Sequence, residues 1–387
     1  MRIELVFLIF AAVFLLLSFF YLRNFTGYFI YRYVEDKWWN SSYHYRIKIE
    51  IDSSDYIRTN WPIEIFLNLT QKLEELNVSG NIDLNSLRLV EYDSNGNPLW
   101  IVPFQFDEDE NFDKLHNAVG ELVFILNGTN NAKRKFYLYF DVEENGIKES
   151  INFATNLSYS IEGNYIYVNT SGFTFTLANV SNKFGFTNVQ RIFDGLYVFW
   201  PSDEPFEYTI TYNQTSIFYY IPYSIEVISG PVRLGIKVKM REFDGNEFTG
   251  INYTKIYYFY EYAGPGSIDN VVANLLKIKQ KFYGNAVRFS NHSFGINISN
   301  LYGDFNDYVF VENVSQNPYS YAYAFRGSFS VQIINLNYSN IEFYSGSDSS
   351  SQIGIYFNEN DVNNANQISS LFFGILSTPE EQEYPYR

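Results

Sequence analysis

With 43 Asp and Glu against 27 Lys and Arg, this 387-residue chain carries a formal net charge of −16, which argues against nucleic acid as a partner because phosphate binding draws on a basic surface. It contains no cysteine, so disulfides, thiolate zinc sites and cysteine nucleophiles are excluded together. Aromatic residues make up 20% of it; packing of Tyr and Phe must supply the stability that cross-links do not, and the length suits two domains.

The first element is an uncharged apolar run from Leu5 to Leu22. As a helix it would span about 27 Å, close to the hydrocarbon core of a thin bilayer. Ser18-Phe19-Phe20-Tyr21-Leu22 puts bulky residues where a signal-peptide cleavage site needs small ones, so the run predicts an uncleaved transmembrane anchor with residues 1–4 as a cytoplasmic end. Arg2 is offset by Glu4, and Arg23 and Arg32 lie on the other side, so charge gives no direction. Residues 23–37 read as a juxtamembrane linker, and Tyr28, Phe29, Tyr31, Tyr33, Trp38 and Trp39 suit a membrane interface, where amphipathic rings settle.

Orientation comes from Asn-x-Ser/Thr. Such sequons begin at Asn24, Asn40, Asn68, Asn77, Asn127, Asn156, Asn169, Asn179, Asn213, Asn252, Asn291, Asn297, Asn313 and Asn337, more than chance spacing gives. One sequon is a weak signal and gains force only by number. Asn24 is too close to the anchor to be a good acceptor; the other thirteen predict a glycosylated extracellular part. The competing explanation is that an Asn-rich chain collects sequons by accident.

Beyond Trp39 the patterning is that of strands. Tyr45 to Ile51 alternates apolar and polar residues, and Ile63 to Leu67 and Lys135 to Phe140 are apolar-aromatic runs of strand length. Turns are expected at Asp93 to Pro98 and at Asn127 to Asn130. Thr70 to Leu76 reads as a short helix with Leu73 and Leu76 on one side. A polar joint at 144–156 separates this stretch from a second one. There Asn164 to Asn169, Phe173 to Leu177, Val227 to Val238 and Lys255 to Tyr262 read as strands, with a turn at Asp244-Gly245-Asn246. Val271 to Phe282 fits helix or strand, Ser345 to Ser351 a loop, and the tail from Thr378 a frayed end.

Three resemblances follow from these residues. Trp39 through Tyr45-Arg46-Ile47-Lys48-Ile49, then Asn85 to Asp93, Gly120 to Phe124 and Phe136 to Phe140, resemble in order the Trp-x-Tyr-Arg opening and later strands of an envelope-protein domain of unknown function. Residues 38–143 would then be a jelly-roll β-sandwich. Ser229-Gly230-Pro231-Val232-Arg233, followed by a long hairpin, is similar to the β-supersandwich of galactose-mutarotase-like and polysaccharide-lyase-associated domains, which would cover 157–387. Ile3-Glu4-Leu5-Val6-Phe7-Leu8-Ile9 resembles the start of a type IV pilin and implies a filament subunit, although Met1-Arg2 stands where a leader ending in Gly should be. A disulfide-free surface chain rich in Tyr, Ile and Asn fits an archaeal lineage better than an animal one.

Candidate chemistry is sparse. Asp107, Asp109, Asn111 and Asp113 place oxygens at alternate positions that could wrap Ca²⁺. Phe112 and Ala118 occupy the Gly and bidentate Glu positions of an EF-hand, and a solvated acidic loop is the simpler reading. His44, His116 and His292 are too far apart in sequence for a paired metal motif. No Gly-x-Ser-x-Gly elbow or phosphate-binding Gly loop occurs. Arg233 could pair with a sugar carboxylate, but a structural ion pair is the commoner fate of an arginine in a strand. Tyr257, Tyr258 and Tyr260 could stack on sugars or fill a core. No catalytic residue stands out.

The sequence therefore predicts an all-β protein: an N-terminal transmembrane helix followed by two β-sandwich domains. The expected role is a membrane-anchored, N-glycosylated surface protein in adhesion, carbohydrate binding or envelope structure, with polysaccharide or envelope proteins as partners. A carbohydrate-active enzyme is the alternative and a filament subunit the third reading.

Overall fold

The computed structural model describes residues from Asp36 to Glu261, except 53–57, 131, 193, 194, 196, 200, 202, 204, 206, 214 and 215, and continues beyond as strands alone. Only the backbone is described at 58, 59, 128–130, 191, 198, 199, 207–213, 216–218 and in the later strands. The anchor expected at 5–22, the sequons at Asn24, Asn313 and Asn337, most of the 345–351 loop and the tail lie outside the described residues. Among the described residues no helix is long and apolar enough to cross a membrane.

Among the described residues the fold is all-β with almost no helix. Its first unit runs β1 (Tyr45–Asp52), β2 (Arg58–Asn68), α1 (Leu69–Glu74), β3 (Ile82–Tyr92), β4 (Pro98–Ile101), β5 (Phe104–Glu108), β6 (Val119–Asn130) and β7 (Lys133–Val142). They form a four-stranded sheet ordered β1-β7-β3-β4 and a three-stranded sheet ordered β2-β6-β5. Alternation decides the packing: Ile49 of β1, Leu87 and Leu89 of β3, Leu122, Phe124 and Leu126 of β6, and Phe136, Leu138 and Phe140 of β7 share one core between the sheets.

The same alternation sends Tyr137 and Tyr139 to the opposite face of β7, yet both are buried. The segment 36–44 covers them like a strap. Trp39 and Tyr43 join Val90, Tyr92, Tyr137 and Tyr139 in a second cluster, in which the hydroxyls of Tyr92, Tyr137 and Tyr139 all find partners. Tyr139 Oη accepts from the Trp39 backbone N–H at 2.8 Å and lies 2.6 Å from Tyr92 Oη. Arg46 stacks over the rings of Trp38 and Tyr137 at 4.6 and 4.2 Å. Trp39, Tyr43 and Arg46 thus hold the strap to the sheet.

Asp36 pins its start, accepting from Lys135 Nζ and Tyr137 Oη, both at 2.7 Å. Burial opposes the Asp36 charge, but these two bonds outweigh it and hold the carboxyl below its usual range. A lowered carboxylate contributes stability that is present above its unfolded value and lost as the pH falls below about 4. Asp36→Ala should therefore speed tryptic cutting at Lys37 near neutral pH, and the wild type should approach the variant's susceptibility as acid is added, read with an acid-active protease. Equal cutting of both proteins at pH 7 would contradict the pinning.

Three local expectations need correction. In α1, which Asn68 caps by accepting from the Gln71 N–H, Leu69 and Leu73 are buried while Leu76 is exposed; the helix ends at Glu74, before Leu76 can share its face. Asn127 to Asn130 belongs to β6 rather than to a turn. It faces a register shift between Thr59 and Trp61, where Asn60 takes φ 47°, so the residues that tolerate irregular backbone serve a bulge. The 144–156 joint is not wholly polar in its packing: Ile151 and Phe153 lie against the first core, with Phe153 edge-on to Phe104 at 5.6 Å.

The second unit carries β8 (Ser158–Glu162), β9 (Tyr165–Asn169), β10 (Phe173–Val180), β11 (Lys183–Arg191) and β12 (Tyr197–Phe199) in a five-stranded sheet. β13 (Glu207–Asn213), β14 (Ser216–Ser229), β15 (Arg233–Asp244), β16 (Glu247–Tyr260) and β17 (Ala273–Tyr283) enter a twelve-stranded sheet. Its remaining strands are β18 (Asn291–Asn297), β19 (Tyr308–Glu312), β20 (Tyr321–Arg326), β21 (Phe329–Asn335), β22 (Ile341–Ser345), β23 (Gln352–Phe357) and β24 (Ile368–Leu376). Phe175 meets Phe259 at 5.0 Å and Phe186 meets Tyr257 at 5.1 Å, so aromatic rings from β10, β11 and β16 fill the space between the sheets. Of the ambiguous stretch Val271 to Phe282, the described part, from Ala273, is strand β17, paired with β16 and β24. Val227 to Val238 is two strands rather than one. Gly230-Pro231-Val232 turns the chain from β14 into β15, which pair antiparallel.

Candidate functional site

The outer face of the three-stranded sheet carries a concentration of like charge. Asp107 of β5 and Glu121 of β6 are directly opposed in register, and Glu64 of β2 pairs beside them, opposite Val123. Carboxylates facing one another across a ladder repel, so this face needs a cation. Arg233, the first residue of β15, supplies it from the second unit.

Its guanidinium is fully buried. Nε and Nη2 donate to Asp107 Oδ2 at 2.8 and 2.5 Å, Nη1 donates to Glu64 Oε1 at 2.5 Å, and Nη2 also donates to Glu121 Oε2 at 2.5 Å. The plane lies 3.7 Å over the Tyr258 ring, and Tyr260 Oη donates to Glu64. Burial opposes the arginine's charge, but Tyr260, Tyr258, Asp107 and Glu121 outweigh it, so the cation is held firmly charged. A planar fork of five donors suits this arrangement as a lysine would not.

Backbone contacts complete the seam. Gln105 donates from Nε2 to Asp107 Oδ1 at 2.6 Å, while its Oε1 accepts from the Arg233 N–H at 3.1 Å. Gly230 lets the turn come this close: a Cβ there would sit 2.0 Å from Gln105 Cδ and Oε1. Glu110 lies 3.8 Å from Lys237 Nζ and 3.7 Å from Lys239 Nζ. Glu261 accepts from Thr155 Oγ1 and the Asn156 N–H at 3.0 and 2.7 Å.

The residues considered for Ca²⁺ are not gathered on one point. Asp107 turns to Arg233. Asp113 Oδ1 accepts from the Leu115 and His116 N–H groups at 3.0 and 2.7 Å, which hold its carboxyl below the usual range. The Asn111 carbonyl accepts from Asn117 Nδ2 at 2.7 Å, and the Asp109 backbone pairs with Val119 and Phe112. Among the described residues no group of three or more His, Asp or Glu side chains is arranged to hold a metal ion.

His44 Nδ1 lies 2.7 Å from Asp141 Oδ2 and His116 Nδ1 3.1 Å from Asp113 Oδ1, at separate places; His292 is in β18. Tyr257, Tyr258 and Tyr260 are buried and present no open face to a sugar. For Arg233, the carboxylate partners come from the chain itself. Sequence reasoning missed Glu64, Gln105 and Glu121; the available signal was an acidic residue at the outward position of three apolar strands.

No family model matches the chain, and no curated protein matches it. Among solved structures, an alpha-mannosidase from Enterococcus faecalis V583 is similar over 89% of this chain and 44% of that one, at 10% identity and a TM-score of 0.47. The chain spans less than half of that protein's length, and a likeness this distant transfers neither fold nor chemistry.

Proposed function

We propose that the chain is a membrane-anchored, N-glycosylated cell-surface protein, outside the cell beyond residue 22, with a structural, adhesive or carbohydrate-binding role in the envelope. One observation carries this reading. The side chains of eight sequon asparagines are described, and every one reaches solvent: Asn40, Asn77, Asn127 and Asn156 are exposed, and Asn68, Asn169, Asn179 and Asn252 half-buried. An acceptor must present its amide nitrogen, and all eight meet that requirement, within a set of fourteen sequons that already exceeds chance spacing.

The jelly-roll reading of residues 38–143 and the supersandwich reading of 157–387 belong to this proposal, supported by paired sheets around shared cores. The enzyme reading ranks second because the Arg, Tyr and carboxylate groups that converge are spent on one another in the seam, leaving no reacting centre among them.

Glycopeptide mass spectrometry on the full chain taken from its own membranes tests the proposal. Sugar is expected on several of the exposed asparagines and least at Asn252, whose sequon hydroxyl, Thr254, is buried. A chain without sugar at any sequon, recovered in the soluble fraction, would overturn it. Release of new chain ends from a polysaccharide by the same preparation would favour the enzyme instead.

A further inference from the structure

Resting on that reading, we infer that Asn156 and Asn169 form a twin glycan site whose sugars guard the open edge of the five-stranded sheet against self-association. β8 is the outermost strand of that sheet, and all five of its side chains are exposed. Its register sets Tyr159 opposite Val168 and Ile161 opposite Ile166. Val168 and Ile166 are buried, whereas Tyr159 is 45% and Ile161 56% exposed. The core-facing apolar row therefore runs past the core to a strand edge that no other strand pairs among the described residues. An edge of unpaired backbone groups beside apolar side chains is a template for another strand.

The two sequons meet at one end of this hairpin. Asn156 precedes β8 by two residues and Asn169 closes β9, opposite Ser158. Each amide reaches the hydroxyl of the other sequon: Asn169 Nδ2 donates to Ser158 Oγ at 3.3 Å and Asn156 Nδ2 to Ser171 Oγ at 3.5 Å. The β8–β9 turn at Gly163 lies at the far end of the hairpin, so both asparagines stand together at the end of β8 where Ser158 begins the edge, and sugars there would cover the approach to it. In the modification, a lipid-linked sugar phosphate is the donor. A bond forms between Nδ2 and the anomeric carbon as the carbon–oxygen bond to phosphate breaks; the phosphate leaves with the electron pair and one Nδ2 proton goes to base. Each amide keeps one N–H, enough for its hydroxyl contact.

The test compares the full-length wild type, N156Q/N169Q, and N156Q/N169Q carrying I161K, each purified in detergent from the native membrane. Wild type should carry sugar at both sites and sediment as one small species. The double variant should at least double its weight-average mass, and I161K should restore the wild-type profile. If the double variant does not fold, the unaltered chain made in a host lacking N-glycosylation replaces it and should self-associate unless I161K is present. Sugar on other sequons but on neither of these, or a sugar-free edge that stays as small as wild type, would overturn the inference while leaving the surface assignment standing. Absence of sugar everywhere would overturn both.

Discussion

Arg233→Ala is expected to lower stability by about 3–5 kcal/mol, because it leaves Glu64, Asp107 and Glu121 close together without their cation. That corresponds to a fall of roughly 6–20 °C in the first thermal transition. The two units should also separate, exposing the 144–156 segment to protease. The charges themselves are not what the seam requires. A buried ion cluster contributes little over an apolar replacement of similar shape, since its desolvation cost offsets most of the attraction. Arg233→Met combined with Glu64→Gln, Asp107→Asn and Glu121→Gln should therefore recover much of the loss. Calorimetry of both variants checks this; a single variant as stable as the wild type would mean that the seam does not hold the units.

Phe186→Ala should cost about 3–5 kcal/mol as well, from a different source. Phe186 is buried between the five-stranded and twelve-stranded sheets, 5.1 Å from Tyr257 and 6.0 Å from Phe259. Removing the ring loses its transfer free energy and leaves a cavity that stiff, sheet-bound neighbours cannot close. Phe186→Leu should retain most of the stability. In denaturant titration, Phe186→Ala should shift the unfolding of the second unit and leave the first in place. A shift below about 1 kcal/mol would mean that the two sheets do not share a core there.

Much of the strand pattern was legible because alternation is local. Phe136-Tyr137-Leu138-Tyr139-Phe140 reads as a strand by period alone, and its Phe and Leu residues do face the core. The burial of Tyr137 and Tyr139 was not legible, since it depends on the strap at 36–44 crossing the far face. Gly230 misled for a related reason. A Gly-Pro pair marks a turn, but the apolar residues on both sides read as one strand until the chain reversal is seen. The seam was legible only in part: Arg233 and the outward acidic positions could be read from the strands, but not that they meet. Glu64, Asp107 and Glu121 come from three strands, and only the order β2-β6-β5 makes them neighbours. For the acidic stretch at Asp107 to Asp113, spacing shows which oxygens alternate but not which N–H groups and cations claim them.

The central claim, an exterior and glycosylated chain, is tested most directly by shaving intact cells with trypsin and analysing what is released. Lys72, Lys114 and Lys133 are accessible on the first unit, so peptides from that unit, with sugar on the sequon peptides among them, are the expected result. Full protection in intact cells, with cutting only after lysis, would place the sheets inside and contradict the account.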